Sequence, residues 1–389
     1  MRSVDAAGLG IGDDHPPRIM GVLNVSEQSP YDPSVYDDPG EAAQYVDEAL
    51  IGEGADIVDV GLESANKRYE VLSAEEELER LDTAIETMAS TSGDAVWSIE
   101  TRYHEVAAEA LDRGFDMVND ICGFADPEMP RVCAERDVAV SKMASPADLE
   151  RPGAIEEVDD IYDALAQNGF TEKTILDPAF GGWSEAKTTE HDRETFRRLR
   201  EFRGYGRPLL VSINRKNFLR EVAGRDTEEA LPVSLAATSM AVERGAHVIR
   251  THDVRETRDA ALIGKEFARD RARRSDDVAV EELDVTTLRE VDRHLDRLDA
   301  DPAVADEAVL RTFELSGLDP TALGALRAAI AETGAVFVPA GDGDQAGSDE
   351  TTTGLLVVTP DAAETLERRV SNESTALRDA LRVVADAFR

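Results

Sequence analysis

Short apolar runs alternate with longer amphipathic stretches over most of the chain. The runs are IMGVLN (19–24), DIVDV (56–60), VWSIE (96–100), DMVND (116–120), VAVSKM (138–143), TILD (174–177), PLLVSI (208–213) and AHVIR (246–250). Nearly continuous apolar runs of this length read as strands buried on both faces. Between them, apolar residues recur at helical spacing, as in AEEELERLDTAIETMA (74–89) and YHEVAAEALDRG (103–114). Several helices close on a glycine just before the next strand, at Gly54, Gly114 and Gly245. Glycine is the usual stop at a helix end because it enters the left-handed region without penalty. Strands and helices in alternation imply a parallel sheet. Eight such units over about 250 residues match a closed (β/α)8 TIM barrel, and residues 18–270 are assigned to it. A doubly wound open sheet would be favoured by a Gly-x-Gly-x-x-Gly turn after the first strand, and none follows Asn24.

The pattern changes outside these limits. Residues 1–17 read as a lead-in. After the barrel comes a charged helical stretch, EELDVTTLREVDRHLDRLDA (281–300). It is followed by a helix over 319–333, a strand AVFVPA (335–340), an acidic Gly/Asp/Ser loop (341–350), a strand TGLLVVT (353–359) and helices from Pro360 onward. Residues 271–389 are therefore read as a helical connector and a small C-terminal α/β accessory domain, a stabilising or dimer-supporting appendage. The protein is expected to be a homodimer.

Composition sharpens the picture. Asp plus Glu number 81 against 42 Lys plus Arg, a formal net charge of −39. Only six of the 42 cations are lysine: Lys67, Lys142, Lys173, Lys187, Lys216 and Lys265. The carboxylates are scattered, which indicates a solvated acidic surface rather than a disordered acidic tail. Such a surface repels itself in dilute buffer and relaxes when salt screens it. A salt-rich cytoplasm like that of halophilic archaea suits this composition. The negative field argues against nucleic acid and anionic membranes as partners. No apolar run is long enough to span a bilayer, the N-terminus lacks a signal-peptide pattern, and Cys122 and Cys133 read as ordinary thiols in a reducing compartment. A cytoplasmic location is expected.

Barrel enzymes gather their chemistry where strands end. The first strand ends at Asn24, and Glu63 and Ser64 follow the second. The third ends at Glu100, the fourth at Asn119-Asp120 and the sixth at Asp177. The seventh runs into Asn214-Arg215-Lys216; the eighth ends at Arg250, with His252 and Asp253 just beyond. Any one of these could simply cap a helix, and Arg250 could pair with a neighbouring acid such as Asp253. Polar residues at nearly every strand end exceed what capping requires. Arg215, Arg250 and His252 are suited to phosphate oxygens. Asn119 and Asp177 suit a flat heterocycle with several N–H donors. Lys216 stands out because lysine is so scarce, which implies a role a planar guanidinium does not fill. An anionic leaving group beside a donor-rich ring points to substitution at carbon with loss of diphosphate.

Seven segments, IMGVLNVSEQSPYD (19–32), GADIVDVGLES (54–64), SAEEELERL (73–81), VNDICGFADPEM (118–129), ILDPAFG (175–181), NRKNF (214–218) and LPVSLAATSMAVERGAHVIRTHDVRET (231–257), together resemble the dihydropteroate synthase family in order and spacing. The resemblance implies a (β/α)8 barrel that condenses 6-hydroxymethyl-7,8-dihydropterin diphosphate with para-aminobenzoate, with Mg²⁺. By resemblance Asn24 binds the metal, Arg250 and His252 hold the diphosphate, and Asn119 and Asp177 hydrogen-bond the pterin. Lys216 contacts the ring carbonyl, and Glu100 replaces a family aspartate that faces the pterin. Lys216, Arg250 and His252 are the expected catalytic residues. Three loops depart from the family pattern, at 27–31, 65–68 and 182–187, and these bear on which arylamine is used. The alternatives are a relative that takes another arylamine, a pterin-dependent methyltransferase, or a non-catalytic pterin-binding barrel. The methyltransferase would have little use for Arg250 and His252.

The charge yields a first prediction. The melting temperature should rise steeply between dilute buffer and molar KCl, where the Debye length shrinks to about 3 Å. A melting temperature flat across that range would show that surface repulsion does not limit stability.

Overall fold

The computed structural model describes residues 3–25, 34–63, 71–181, 184, 186–269, 271–274, 279–340, 351–370 and 375–388. The chain divides into two compact units, Met1–Glu282 and Leu283–Arg389. The first begins with an antiparallel hairpin, β1 (Val4–Ala6) and β2 (Leu9–Ile11). The eight apolar runs then form β3 (Arg18–Asn24), β4 (Ile57–Gly61), β5 (Val96–Thr101), β6 (Met117–Asp120), β7 (Ala139–Met143), β8 (Thr174–Asp177), β9 (Leu210–Val211) and β10 (Val248–Thr251). They pair in parallel in the order β8-β7-β6-β5-β4-β3-β10-β9. A bridge between Leu176 and Leu209, with the Leu176 N–H donating to the Pro208 carbonyl at 2.9 Å, joins the two ends. The sheet is thus a closed (β/α)8 barrel.

Helices return the chain between strands. They are α1 (Pro39–Tyr45), α2 (Ala74–Ser90), α3 (His104–Asp112), α4 (Met129–Glu135), α5 (Val158–Ala166), α6 (Thr189–Arg197), α7 (Asn217–Ala223), α8 (Leu231–Glu243) and α9 (Val254–Glu266). Ser73 and Glu76 form a capping box at the start of α2, which fixes where that helix begins. Gly54, Gly114 and Gly245 all take left-handed backbone angles before the following strand, as their positions in the sequence imply.

Alternation along each strand sorts the side chains into two sets. Outward residues such as Leu23, Val58, Val60, Ile99, Val118 and Ile249 pack with the helices into the main core. Inward residues form layers. The lowest layer takes one residue from each strand: Met20, Ile57, Val96, Met117, Ala139, Ile175, Leu210 and Val248. Val4, Ala6 and Ile11 of the hairpin complete the same cluster. Residues 1–17, read as a lead-in, thus contain a plug for the bottom of the barrel. Asp13 ties the plug down. It accepts two hydrogen bonds from Arg203 at 3.1 Å and one from His247 Nε2 at 3.1 Å. His247 Nδ1 accepts from the Leu209 N–H at 3.0 Å, so the donor toward Asp13 is Nε2.

The second unit contains α10 (Leu288–Leu298), α11 (Ala305–Ala308), α12 (Pro320–Ile330), α13 (Pro360–Val370) and α14 (Thr375–Asp386). Its sheet is antiparallel, with β13 (Arg311–Leu318) and β14 (Val336–Pro339) on either side of β15 (Thr352–Val358). A short hairpin, β11 (Ala272–Arg274) and β12 (Ala279–Glu281), ends the first unit. Strand β13 was not anticipated; its alternation is interrupted by Ser316 and Gly317 and is weak in sequence. Among the described residues no helix is long and apolar enough to cross a membrane.

The plug generates a prediction. Ile11 is fully buried against the lowest layer. Ile11→Ala should cost on the order of 2–5 kcal/mol in urea denaturation at molar KCl. An unchanged midpoint would show that the hairpin does not support the barrel.

Candidate active site

Above the apolar floor the inward positions turn polar. Asp59, Ser98, Glu100, Asn119, Ser141, Asp177 and Arg250 all come from strands. The pairing register sets them side by side, Asp59 opposite Ser98 and Glu100 opposite both Gly61 and Asn119. Gly61 is the one inward position here without a side chain. A Cβ there would stand 3.2 Å from Asn24 Oδ1 and 3.6 Å from Glu100 Oε1, so the glycine leaves open the space between them.

Arg250 organises the group. Its Nε donates to Asp59 Oδ2 at 2.7 Å and its Nη2 to Glu100 Oε2 at 2.5 Å. Burial works against its charge, but Glu100 and Asp59 outweigh this and hold its pKa above the ordinary arginine value. Arg250 does not pair with Asp253. That acid instead takes Arg215 in a two-pronged contact, Nε to Oδ2 at 2.8 Å and Nη2 to Oδ1 at 2.9 Å, together with Asn214 Nδ2 at 2.8 Å. Arg215 also donates to the Thr227 and Glu228 carbonyls. Arg215, expected to suit phosphate oxygens, ties the loop before α8 to the start of α9.

Asp177 and Lys216 are brought to the same mouth. Asp177 accepts the Ala179 N–H at 2.8 Å. Burial pushes its pKa up to about 6, against the pull of that hydrogen bond and of the Lys216 charge. Lys216 Nζ donates to the Phe180 carbonyl at 2.7 Å and lies 3.1 Å from where a Cβ on Gly181 would stand. Burial lowers its pKa to about 8, with Asp177 opposing. His252 is brought down to about 3 by burial and by the Arg250 charge, so it is neutral at physiological pH. Asn24 Nδ2 donates to Ser34 Oγ at 2.9 Å, which turns the amide oxygen toward Gly61 and the barrel interior.

Other strand-end residues serve the scaffold. Asp120 points away from Asn119 and accepts the Cys122 and Phe124 N–H groups at 2.8 and 2.7 Å. Glu63 accepts from Arg102 Nη2 at 2.5 Å and from the Leu72 N–H at 3.0 Å. Ser64 and the divergent loops at 27–31 and 65–68 lie outside the described residues, as do Gly182, Trp183 and Glu185 of the third. In that third loop Lys187 Nζ is buried and donates to the Ala179 carbonyl at 2.6 Å. The grouping of His104, Glu105 and Asp126 is dense enough for a metal ion, but Asp126 already accepts the His104 and Glu128 backbone N–H groups and anchors the start of α3.

Sequence reasoning missed Asp59, Ser98 and Arg102. Asp59 lies inside the run DIVDV, where it reads as part of a strand. Its signal is positional: it occupies the inward row, two residues before Gly61, where a carboxylate has no solvent to face.

Residues 20–252 match the family described as pterin binding enzyme. The chain is 32% identical over 271 residues to the dihydropteroate synthase of Escherichia coli K12, covering 66% of this chain and 94% of that protein. It is 33% identical over 268 residues to a probable bifunctional folylpolyglutamate synthase/dihydropteroate synthase of Haloferax volcanii, of whose length it spans only 31%. Among solved structures, it resembles the Thermus thermophilus dihydropteroate synthase in complex with 4-aminobenzoate (TM-score 0.56, 29% identity, 68% of this chain, 100% of that one). It also resembles the Coxiella burnetii enzyme in complex with pteroic acid (TM-score 0.58, 28% identity, 68% of this chain, 98% of that one).

The depressed pKa of His252 sets a pH dependence. Between its ordinary value of 6.5 and about 3, the unfolded chain takes up a proton that the folded site refuses. Stability contributed by the neutral ring is thus lost as pH falls below 6.5. Denaturation from pH 7.5 to 5 should show a steeper decline for the wild type than for His252→Gln. Parallel curves would place the histidine in solvent.

Proposed function

The chain belongs to the pterin-binding enzyme family as a dihydropteroate synthase, and from that premise we propose that it joins 6-hydroxymethyl-7,8-dihydropterin diphosphate to para-aminobenzoate with release of diphosphate. The observation that carries this reading is the meeting of two chemistries in one barrel mouth. Asn119, Asp177 and Glu100 offer acceptors to a ring rich in N–H groups, while Arg250 stands beside them as a fixed cation. A neutral His252 donates to a phosphate oxygen without adding charge. Lys216 meets the ring carbonyl.

The carbon–oxygen bond between the pterin methylene and the diphosphate breaks first. Its electron pair leaves with the diphosphate, and the pterin cation is stabilised by the surrounding acceptors. The arylamine nitrogen then forms the new bond to the methylene and loses a proton to solvent. Pre-organised charge supplies most of the rate enhancement, and no general base is required. The residues fit Mg²⁺: the inward amide oxygen of Asn24 is a hard donor of the kind this ion takes alongside substrate phosphate. When bound there, the ion would neutralise charge on the diphosphate.

The location is proposed to be cytoplasmic, supported by two cysteines that are buried and unpaired. We assign residues 271–389 a supporting role without chemistry of their own. A homodimer is supported by α8, which carries no charge from Leu231 to Val242 although 32% of the chain is charged. On that helix and its neighbour α9, Met240, Leu262 and Ile263 are exposed, as is Phe267 just past the end of α9. Ile263→Glu should shift sedimentation from dimer to monomer; a wild type that sediments as a monomer contradicts the assignment.

The functional test is incubation with the pterin diphosphate, Mg²⁺ and a panel of arylamines in molar KCl, with products identified by mass. Dihydropteroate should form from para-aminobenzoate. Another arylamine used in its place would redirect the substrate, and no release of diphosphate would overturn the reading. Arg250→Ala should lower kcat/KM by on the order of 10²-fold, comparable to losing a strong oxyanion donor. Lys216→Arg should also lose activity, because a planar fork does not replace a compact ammonium. Wild-type turnover in either variant would remove that residue from its role.

A further inference from the structure

Asp59 has no solvent exposure and sits at the centre of the polar layer. Its Oδ1 accepts from Ser98 Oγ at 2.7 Å, which locks the plane of the carboxylate. Its Oδ2 accepts from two groups, Asn119 Nδ2 at 2.9 Å and Arg250 Nε at 2.7 Å. A carboxylate in this setting only accepts hydrogen bonds, whereas a primary amide has a donor end and an acceptor end. Asp59 takes the donor end of Asn119, so what remains for a ligand is the acceptor, Oδ1. The same oxygen holds the Nε edge of Arg250 and fixes the plane of its guanidinium.

We propose that Asp59 is a positioning residue of the synthase reaction, setting the amide polarity of Asn119 and the plane of Arg250 so that pterin ring and diphosphate are held in one register. The proposal rests on the functional reading above. Countercharge alone does not account for the arrangement. Glu100 already supplies a carboxylate to Arg250, and a countercharge has no need to reach Asn119. The role also explains why an acid stands on a fully buried strand position, where it would otherwise be a liability.

The test uses the full chain in molar KCl, with pterin binding by calorimetry and steady-state kinetics measured on the same folded preparations. Asp59→Asn keeps the shape but removes the charge, and its amide offers Asn119 and Arg250 at best one neutral oxygen while Ser98 takes the other end, and otherwise turns a donor toward both. It should weaken binding of the free pterin by on the order of tenfold or more, because a buried polar contact becomes mismatched. It should also lower kcat/KM by on the order of 10²-fold, as expected for misplaced reacting groups. The exchanged pair Asp59→Asn with Asn119→Asp restores a donor facing an acceptor between these two positions and should recover part of the pterin affinity but not of kcat/KM, because Arg250 Nε loses the acceptor it shares with Asn119. Wild-type affinity and turnover per folded molecule in Asp59→Asn, or an exchanged pair no better than the single variant, would overturn the proposal. If Asp59→Asn does not fold, Asn119→Asp alone decides. Two facing carboxylates should weaken pterin binding, and unchanged or tighter binding refutes the orienting role. A wild type that binds pterin but makes no dihydropteroate refutes the functional reading, and the binding comparison still judges Asp59.

Discussion

The contact on which the site depends is the line Asp59–Arg250–Glu100 across the inside of the barrel. An arginine taken out of water is costly unless its partners are close and well aligned. Here two carboxylates meet it at 2.7 and 2.5 Å, while Asn119 shares the same Asp59 oxygen and Ser98 satisfies the other. The polar layers can therefore exist inside a closed sheet. With Arg250 removed, two acids would face each other without compensation, and the mouth would lose both its shape and its cation.

Below that line the barrel is made rigid by apolar packing rather than charge. The floor layer and its hairpin plug hold the strands in register, and register decides which residues share the interior. The use of lysine follows the same division. Lys142, Lys187 and Lys216 are sited where a compact ammonium meets backbone carbonyls. Lys142 donates to the Gln167 and Gly169 carbonyls and lies 4.6 Å from the Phe124 ring centroid. Arginine instead pairs with acids, inside the barrel as in Arg250 with Asp59 and Glu100 and at the surface as in Arg131 with Glu128 and Glu135.

The eight strands were legible because burial on both faces makes each run apolar, and glycine marks the helix ends. The rim residues Asn24, Glu100, Asn119, Asp177, Lys216, Arg250 and His252 were legible because strand ends are where a barrel displays chemistry. Asp59 was not, because alternation hides a single acid within an otherwise apolar run until the register of neighbouring strands is known. The acid that pairs with Arg250 is hidden for a related reason: Asp253 is near in sequence, whereas Asp59 lies 191 residues away in the chain. The plug escaped notice because its strands are only three residues long.

The most direct measurement of the account is a double-mutant cycle on stability between Asp59 and Arg250, with Asp59→Asn, Arg250→Gln and the double variant denatured in molar KCl. Asp59→Asn leaves Arg250 with Glu100 alone and Arg250→Gln leaves Asp59 without a countercharge, while the double variant removes the Asp59–Arg250 pair as a unit and leaves Glu100 as it stands in the Arg250 single variant. The account predicts that the double variant is more stable than the sum of the single losses implies, by on the order of 2–3 kcal/mol. Losses that add to within about 0.5 kcal/mol would contradict it, since independent sites behave that way.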